Sequence, residues 1–295
     1  MNILILGPGA IGSLWATKFK LAGHNVSLWG RSYESKQQLQ LDDSPAINFA
    51  NRHLPSVQNA DLIVVTVKAW QVETAIEPLL PYINEDTIVM LMHNGMGTAS
   101  LIEAKLADNP LIVATTTHGA YKPNKGQVLH TGQGQTQLGG FNLKGAQCGF
   151  LAEVMNHALP EVNWNPNINA ALWTKLAINC AINPLTAIHQ CNNGELAAAK
   201  FATQLTNIIR ELVAVMNQEG LEVDFFSLHA TITQVVNATA ANYSSMRQDV
   251  FHQRRTEIDF ITGYLLQTAE KHQISTPENA KLYQRIKQIE QSWTE

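Results

Sequence analysis

Two patterns of apolar residues divide the chain. In the first half, short unbroken apolar runs recur: "NILIL", "NVSLWG", "ADLIVVTVKA", "DTIVMLMHNG" and "PLIVATTTHGA". Each is short, and Gly, Asn or Lys closes most of them, which predicts buried strands. Between them lie helix-compatible stretches: "SLWATKFKLAG", with Gly23 placed as a C-cap, "QVETAIEPLLPYI" and "TASLIEAKLA". Strand alternating with helix predicts a parallel sheet covered on both faces. Residues 126–141, rich in Gly and Gln, predict small antiparallel strands at the end of the sheet, whereas 32–56 offers no usable motif. From about residue 168 the strand signals nearly vanish. Long helical patterns replace them, such as "AKFATQLTNIIRELVAVMNQEG" and "RRTEIDFITGYLLQTAEKHQ". The break falls near "NWNPNINAA", where Pro and Asn interrupt the pattern. The expected division is 1–167 and 168–295.

Composition narrows the function classes. A chain of 295 residues, 45% hydrophobic and 15% charged, can fill two modest cores. A formal charge of −4 gives no basic footprint, so nucleic acid is not an expected partner. No apolar run approaches the roughly 20 residues of a membrane span, and no basic n-region marks a signal peptide. Three cysteines, Cys148, Cys180 and Cys191, form no CxxC and leave an odd thiol, which fits a reduced cytoplasm. No close spacing of His, Cys and acids suggests a metal.

Gly7, Gly9 and Gly12 form G-x-G-x-x-G directly after the first strand and opening a helix. Glycines there permit a tight turn, close pyrophosphate approach and close helix packing, and the helix N-terminus favours phosphate. Pro8, Ala10 and Ile11 complete this dinucleotide loop. The first domain is therefore expected to be a Rossmann-type α/β parallel sheet, the second an all-α domain. At the end of the second strand an NAD site usually carries an acid. Here "LWGRS" puts Arg31 there, which suits the 2′-phosphate of NADP; Glu34, slightly later, would serve NAD instead. Lys68 in "VVTVKAW" and Asn94 in "HNGMG" end later strands, where an open α/β sheet binds ligands. A snorkelling lysine and a turn-forming Asn-Gly are the plainer readings of those two. His93 and His118 are given no catalytic role.

In "LWTKLAINCAIN", Lys175, Asn179 and Asn183 recur at i, i+4 and i+8, one face of a helix. The other positions are apolar nearly all round, so the stripe is expected to face a cleft and not bulk solvent. Pro184 predicts that the helix kinks or stops after Asn183. A lysine ammonium can give up a proton to a developing alkoxide, and amides can orient hydroxyl groups.

"GPGAIG", "VKAWQ", "HNGMG", "LWTKLAINCAINPLTAI", "NNGEL" and "SSMRQDV…TEID" stand in the order seen in ketopantoate reductases (2-dehydropantoate 2-reductases), which the chain resembles from residue 1 to about 285. The resemblance implies NADPH-dependent reduction of a small 2-keto acid, 2-dehydropantoate, to pantoate on the route to pantothenate and coenzyme A. It implies Lys175 as proton donor and Asn179, Asn183, Asn193 and Ser245 as substrate-binding residues. It puts Arg31, Lys68, Asn94 and Ala120 on the cofactor side, with Asn94 also able to touch substrate and Glu257 near both ligands. Pro8, inside the glycine turn, is a mild departure. Two rivals stay open: a non-catalytic NADP-binding regulator, which would not need Lys175 beside two amides, and a reductase of another 2-keto acid or an opine-type dehydrogenase. A homodimer is compatible with the sequence, which shows no exposed face by itself.

Overall fold

The apolar runs of the first half pair side by side. In the computed structural model, which describes residues 1–106 and 108–293, the strands are β1 (Asn2–Leu6), β2 (Asn25–Trp29), β3 (Lys36–Leu41), β4 (Ile47–Asn51), β5 (Leu62–Val65) and β6 (Ile88–Leu91). Then come β7 (Leu111–Thr116), β8 (Gly119–Tyr121), β9 (Gln127–Gly132), β10 (Thr136–Gly140) and β11 (Val162–Trp164). Among the described residues the sheet order is β11-β10-β7-β6-β5-β1-β2-β4-β3-β9-β8. Its centre, β4-β2-β1-β5-β6-β7, is all parallel. This is the dinucleotide-binding order, with the reversal of strand order between β1 and β5. β1, β5 and β6 are almost wholly buried, as continuous apolar strands covered on both faces should be.

The segment 32–56, which carried no readable motif, supplies β3 and β4 as an antiparallel pair. "KQQLQL" buries only Leu39 and Leu41, too little apolar signal to announce a strand. The Gly- and Gln-rich stretch does form strands, but at opposite edges: β10 runs antiparallel to β7, while β9 joins β3 in parallel and β8 in antiparallel.

The helices of this unit are α1 (Ala10–Leu21), α2 (Leu54–Gln58), α3 (Val72–Ile76), α4 (Thr98–Glu103) and α5 (Leu151–Ala158). Trp15 and Phe19 of α1, with ring centroids 5.1 Å apart, join Ile3, Ile5 and Leu28 in one buried cluster. Full burial of each such Leu or Ile contributes about 1.5–3 kcal/mol. Gly23, at φ +88°, closes α1 with its N–H on the Lys20 carbonyl, as its C-cap position predicts.

The chain divides into two units, Met1–His93 with Gly97–Ala171, and Asn94–Met96 with Leu172–Glu295. The second is helical: α6 (Ile168–His189, its first turn counted with the first unit), α7 (Ala199–Gln218), α8 (Phe225–Ala238), α9 (Ser245–Phe251), α10 (Thr262–Lys271) and α11 (Pro277–Gln291). Two expectations are corrected. Of the two outcomes expected of Pro184, a kink or a stop, the stop is ruled out: α6 continues through Pro184 to His189. Burial of Leu185 and Ala187 rewards the extra turn, and the Thr186 hydroxyl donates to the Ile182 and Asn183 carbonyls there. The helical pattern beginning at Arg254 does not become helix until Thr262. Thr256 is instead tied by its N–H and hydroxyl to one Glu290 carboxylate oxygen, both at 2.7 Å, and a short 3₁₀ turn spans Ile258–Phe260.

Candidate active site

In the first unit the chemistry begins where β1 ends. Gly7 has φ +90°, and a side chain there would collide with Val67. A Cβ on Gly12 would lie 2.5 Å from the Gly7 carbonyl oxygen and strike Thr66. Only glycine fits either place. Gly9 differs: the nearest atom to a Cβ there is 3.9 Å away, and the residue is exposed. The turn therefore presents open space over the N-terminus of α1, where the first N–H groups lack intrahelical partners. That cradle fits a dinucleotide pyrophosphate. Gly7 O accepts from Thr66 Oγ1 at 2.7 Å, and Pro8 O accepts from Ser13 Oγ at 3.0 Å.

Lys122 also donates to Pro8 O, at 2.8 Å, and to Ser13 Oγ at 3.0 Å. Burial lowers its pKa. It braces the glycine turn from 114 residues away, and no local pattern announces it. Around this turn lie the other cofactor-side candidates. Arg31 is exposed just beyond β2, Lys68 is half-buried three residues past β5, and Ala120 sits at the irregular start of β8.

In the second unit, α6 presents Lys175, Asn179 and Asn183 on one face. Lys175 and Asn179 keep some accessible surface, while Asn183 is buried. Lys175 retains a solvent-facing edge, yet protein surrounds its ammonium closely. Desolvation lowers its pKa to about 8, and the nearby Glu257 carboxylate opposes the shift only in part. Glu257 is itself buried and accepts from Asn94 Nδ2 at 3.2 Å. Both neighbours are held by backbone. Gly95, at φ +84°, lets the chain approach so closely that a Cβ would lie 2.5 Å from the Phe260 carbonyl oxygen, and Met96 N donates to that oxygen at 2.8 Å. Within "TEID", Thr256 is anchored on Glu290, and Asp259 accepts from Tyr283 at 2.8 Å and pairs with Lys287 at 3.1 Å. With both flanks tied to α11, Glu257 is left facing inward.

The remaining candidates differ in setting. Asn193 is buried; its Nδ2 donates to Thr239 Oγ1 at 2.9 Å, but its Oδ1 is buried with no partner among the described residues. An unpaired buried acceptor costs about 1–3 kcal/mol, which a bound hydroxyl would recover. Ser245 is exposed in the first turn of α9. Its neighbour Ser244, which sequence reasoning passed over, is buried: its Oγ meets Thr186 Oγ1 at 2.7 Å and caps α9 by accepting from Arg247 N at 3.0 Å. Its sequence signal was the serine standing just before a short amphipathic helix.

Both halves of the chain match family models: residues 3–142 that of "Ketopantoate reductase PanE/ApbA", and 167–290 that of its C-terminal part. The 2-dehydropantoate 2-reductase of Vibrio cholerae serotype O1 is 55% identical over 294 residues, covering 100% of this chain and 99% of its own. The chain belongs to the ketopantoate reductase family. It is thus an oxidoreductase built from a Rossmann-type domain and a helical domain. Among solved structures, a D-mandelate dehydrogenase with NADH and anilino(oxo)acetate superposes with a TM-score of 0.91 at 25% identity, covering 100% of both chains. The dimeric ketopantoate reductase of Staphylococcus aureus shares the fold, with a TM-score of 0.84 at 23% identity over 98% of this chain and 99% of that one. Among the described residues no cluster of three His, Cys, Asp or Glu could hold a metal, and no helix is long and apolar enough to cross a membrane.

Proposed function

We propose that the protein reduces 2-dehydropantoate to pantoate with NADPH, and that Lys175 is the proton donor. The observation that carries this reading is a lysine whose pKa is brought down to about 8, close to Glu257 and in line with two amides. A donor with its pKa near the working pH can be charged and still release its proton readily. NADPH, when bound, supplies the hydride for the keto carbon. Gly7 to Gly12 would hold its pyrophosphate, Arg31 its 2′-phosphate, and Lys68, Asn94, Ala120 and Glu257 the rest of its cofactor-side contacts. Lys175 holds the proton for the substrate oxygen and offsets the negative charge that grows there. Asn179, Asn183 and Asn193 orient the substrate's oxygen groups, Ser245 its carboxylate, and Asn94 contributes from the segment clasped to Phe260. The buried, unpaired Oδ1 of Asn193 supports a hydroxyl-bearing substrate.

Initial rates across a panel of 2-keto acids at saturating NADPH test the substrate. The highest kcat/KM should belong to 2-dehydropantoate. The likeness to D-mandelate dehydrogenase favours one second reading, an aromatic 2-keto acid, and faster turnover of phenylglyoxylate would replace the first reading with it. The proposal includes a homodimer, supported by the dimeric Staphylococcus aureus relative and tested by light scattering. It also places the protein in the cytoplasm, supported by three cysteines that are all free thiols and tested by cell fractionation.

A further inference from the structure

β2 ends at Trp29, and the chain turns through residues 30–35 before β3. Asn51, buried at the end of β4, holds this turn. Its Oδ1 accepts from Gly30 N at 2.9 Å, and its Nδ2 donates to the Ser32 and Glu34 carbonyls at 2.9 and 2.7 Å. The next residue, Arg52, has φ +54°, a left-handed backbone that non-glycine residues rarely adopt. Its N–H is fixed on the Leu28 carbonyl at 3.0 Å. Its guanidinium lies 4.5 Å from the Tyr33 ring centroid and 5.3 Å from that of Trp29, and donates to Gly30 O at 3.3 Å.

These partners are two rings and a carbonyl, and none is an anion. They immobilise the guanidinium without neutralising it. The turn also carries Arg31 and Glu34, whose charges cancel. Arg52 therefore adds a fixed positive charge at the end of β2, where Lys36 opens β3 beside it. In this fold that strand end receives the adenosine ribose, where an acid selects a free 2′-hydroxyl and Arg accommodates a 2′-phosphate. A phosphate accepts paired hydrogen bonds from more than one guanidinium, and one already held by its surroundings loses little further freedom on binding.

We propose that Arg52 is a second cofactor-discriminating residue, which holds the 2′-phosphate together with Arg31 and overrides the opposite preference of Glu34. The inference rests on the NADPH reading above. Calorimetric binding of 2′,5′-ADP and of ADP, to wild-type protein and to Arg52→Gln, tests it without turnover. Wild-type protein should prefer 2′,5′-ADP. Arg52→Gln should bind 2′,5′-ADP about tenfold more weakly while ADP stays within about twofold, which also shows that the turn is intact. A 2′,5′-ADP affinity within twofold of wild type would overturn the role. Equal losses for both ligands would overturn it as well, since Arg52 would then only brace the turn. A wild-type protein with no preference for 2′,5′-ADP would remove the NADPH reading itself, and the inference with it.

Discussion

The glycine turn and the Lys175 face solve opposite problems. At the turn the protein works by leaving side chains out: Gly7 and Gly12 admit backbone and neighbouring strands, and Gly9 leaves room for a ligand. The binding groups proposed there are main-chain N–H of the turn and the α1 N-terminus, which do not depend on particular side chains. At Lys175 the proposed chemistry falls to side chains held in costly places: a desolvated ammonium, a buried carboxylate and a buried amide oxygen with no partner among the described residues. A site made of backbone is written in a contiguous motif. A site made of buried polar side chains is gathered from distant segments. Damage to the first should therefore appear in cofactor binding, and damage to the second in turnover.

The largest expected effect tests the second half of that contrast. Lys175→Ala should lower kcat by roughly 10²- to 10⁴-fold, the usual contribution of a positioned acid, while NADPH affinity measured by fluorescence titration stays within about twofold. A kcat within twofold of wild type would remove the donor role. Next in size is Gly12→Ala. Its Cβ would press on the Gly7 carbonyl and Thr66, and overpacking of this kind costs about 1–3 kcal/mol. NADPH binding should weaken roughly 10- to 100-fold, whereas kcat at saturating cofactor should change far less. If kcat fell as far as the affinity, the separation of roles would fail.

Legibility in the sequence follows the same line. Five of the six parallel strands, β1, β2, β5, β6 and β7, could be read because each is a dense apolar run, and "GPGAIG" because its glycines fall within six residues. Lys175, Asn179 and Asn183 could be placed together because one helix spaces them. The contact of Asn94 with Glu257 spans 163 residues, and that of Lys122 with Pro8 spans 114, so neither leaves a local pattern. The pair β3 and β4 was hidden because polar residues interrupt both "KQQLQL" and "INFAN". Residues 254–261 look helical by period, but the Thr256–Glu290 and Asp259–Tyr283 bonds pull them into a turn. Periodicity does not register that competition.

A smaller effect concerns pH. The native pKa of Lys175 is about 8, below the ordinary value of 10.5. A donor must carry its proton, so kcat/KM should fall as pH rises through about 8 and not near 10.5. Glu257 raises that pKa, so Glu257→Gln should move the basic limb lower still. A limb that stayed in place, or moved up, would deny the coupling. Stability has the opposite sign. Between about 8 and 10.5 the unfolded chain binds more protons at this site, so the cost of burying the ammonium is present at neutral pH and fades across that window. Lys175→Met should accordingly remove this rise of stability between about pH 8 and 10.5.

The smallest expected effects separate two adjacent serines. Ser244 is buried, bonded to Thr186 and capping α9. Losing such a cap costs about 0.5–2 kcal/mol, so Ser244→Ala should lower Tm by a few degrees. Thr186 keeps its bonds to the Ile182 and Asn183 carbonyls, which limits the damage to α6. Ser245 is exposed, and a surface serine usually changes stability by no more than about 0.5 kcal/mol on truncation. If its hydroxyl meets the substrate carboxylate, however, Ser245→Ala loses a charge-assisted hydrogen bond of about 1.5–3 kcal/mol. The KM for the keto acid should then rise roughly tenfold with Tm unchanged. Thermal unfolding and initial rates on the two variants decide the matter. A KM effect at Ser244 with none at Ser245 would transfer the substrate contact to the buried serine. The second unit would then bind substrate through a hydroxyl that also holds α6 and α9 together, and the side-chain site would be more tightly fused to its scaffold than the glycine turn is to its own.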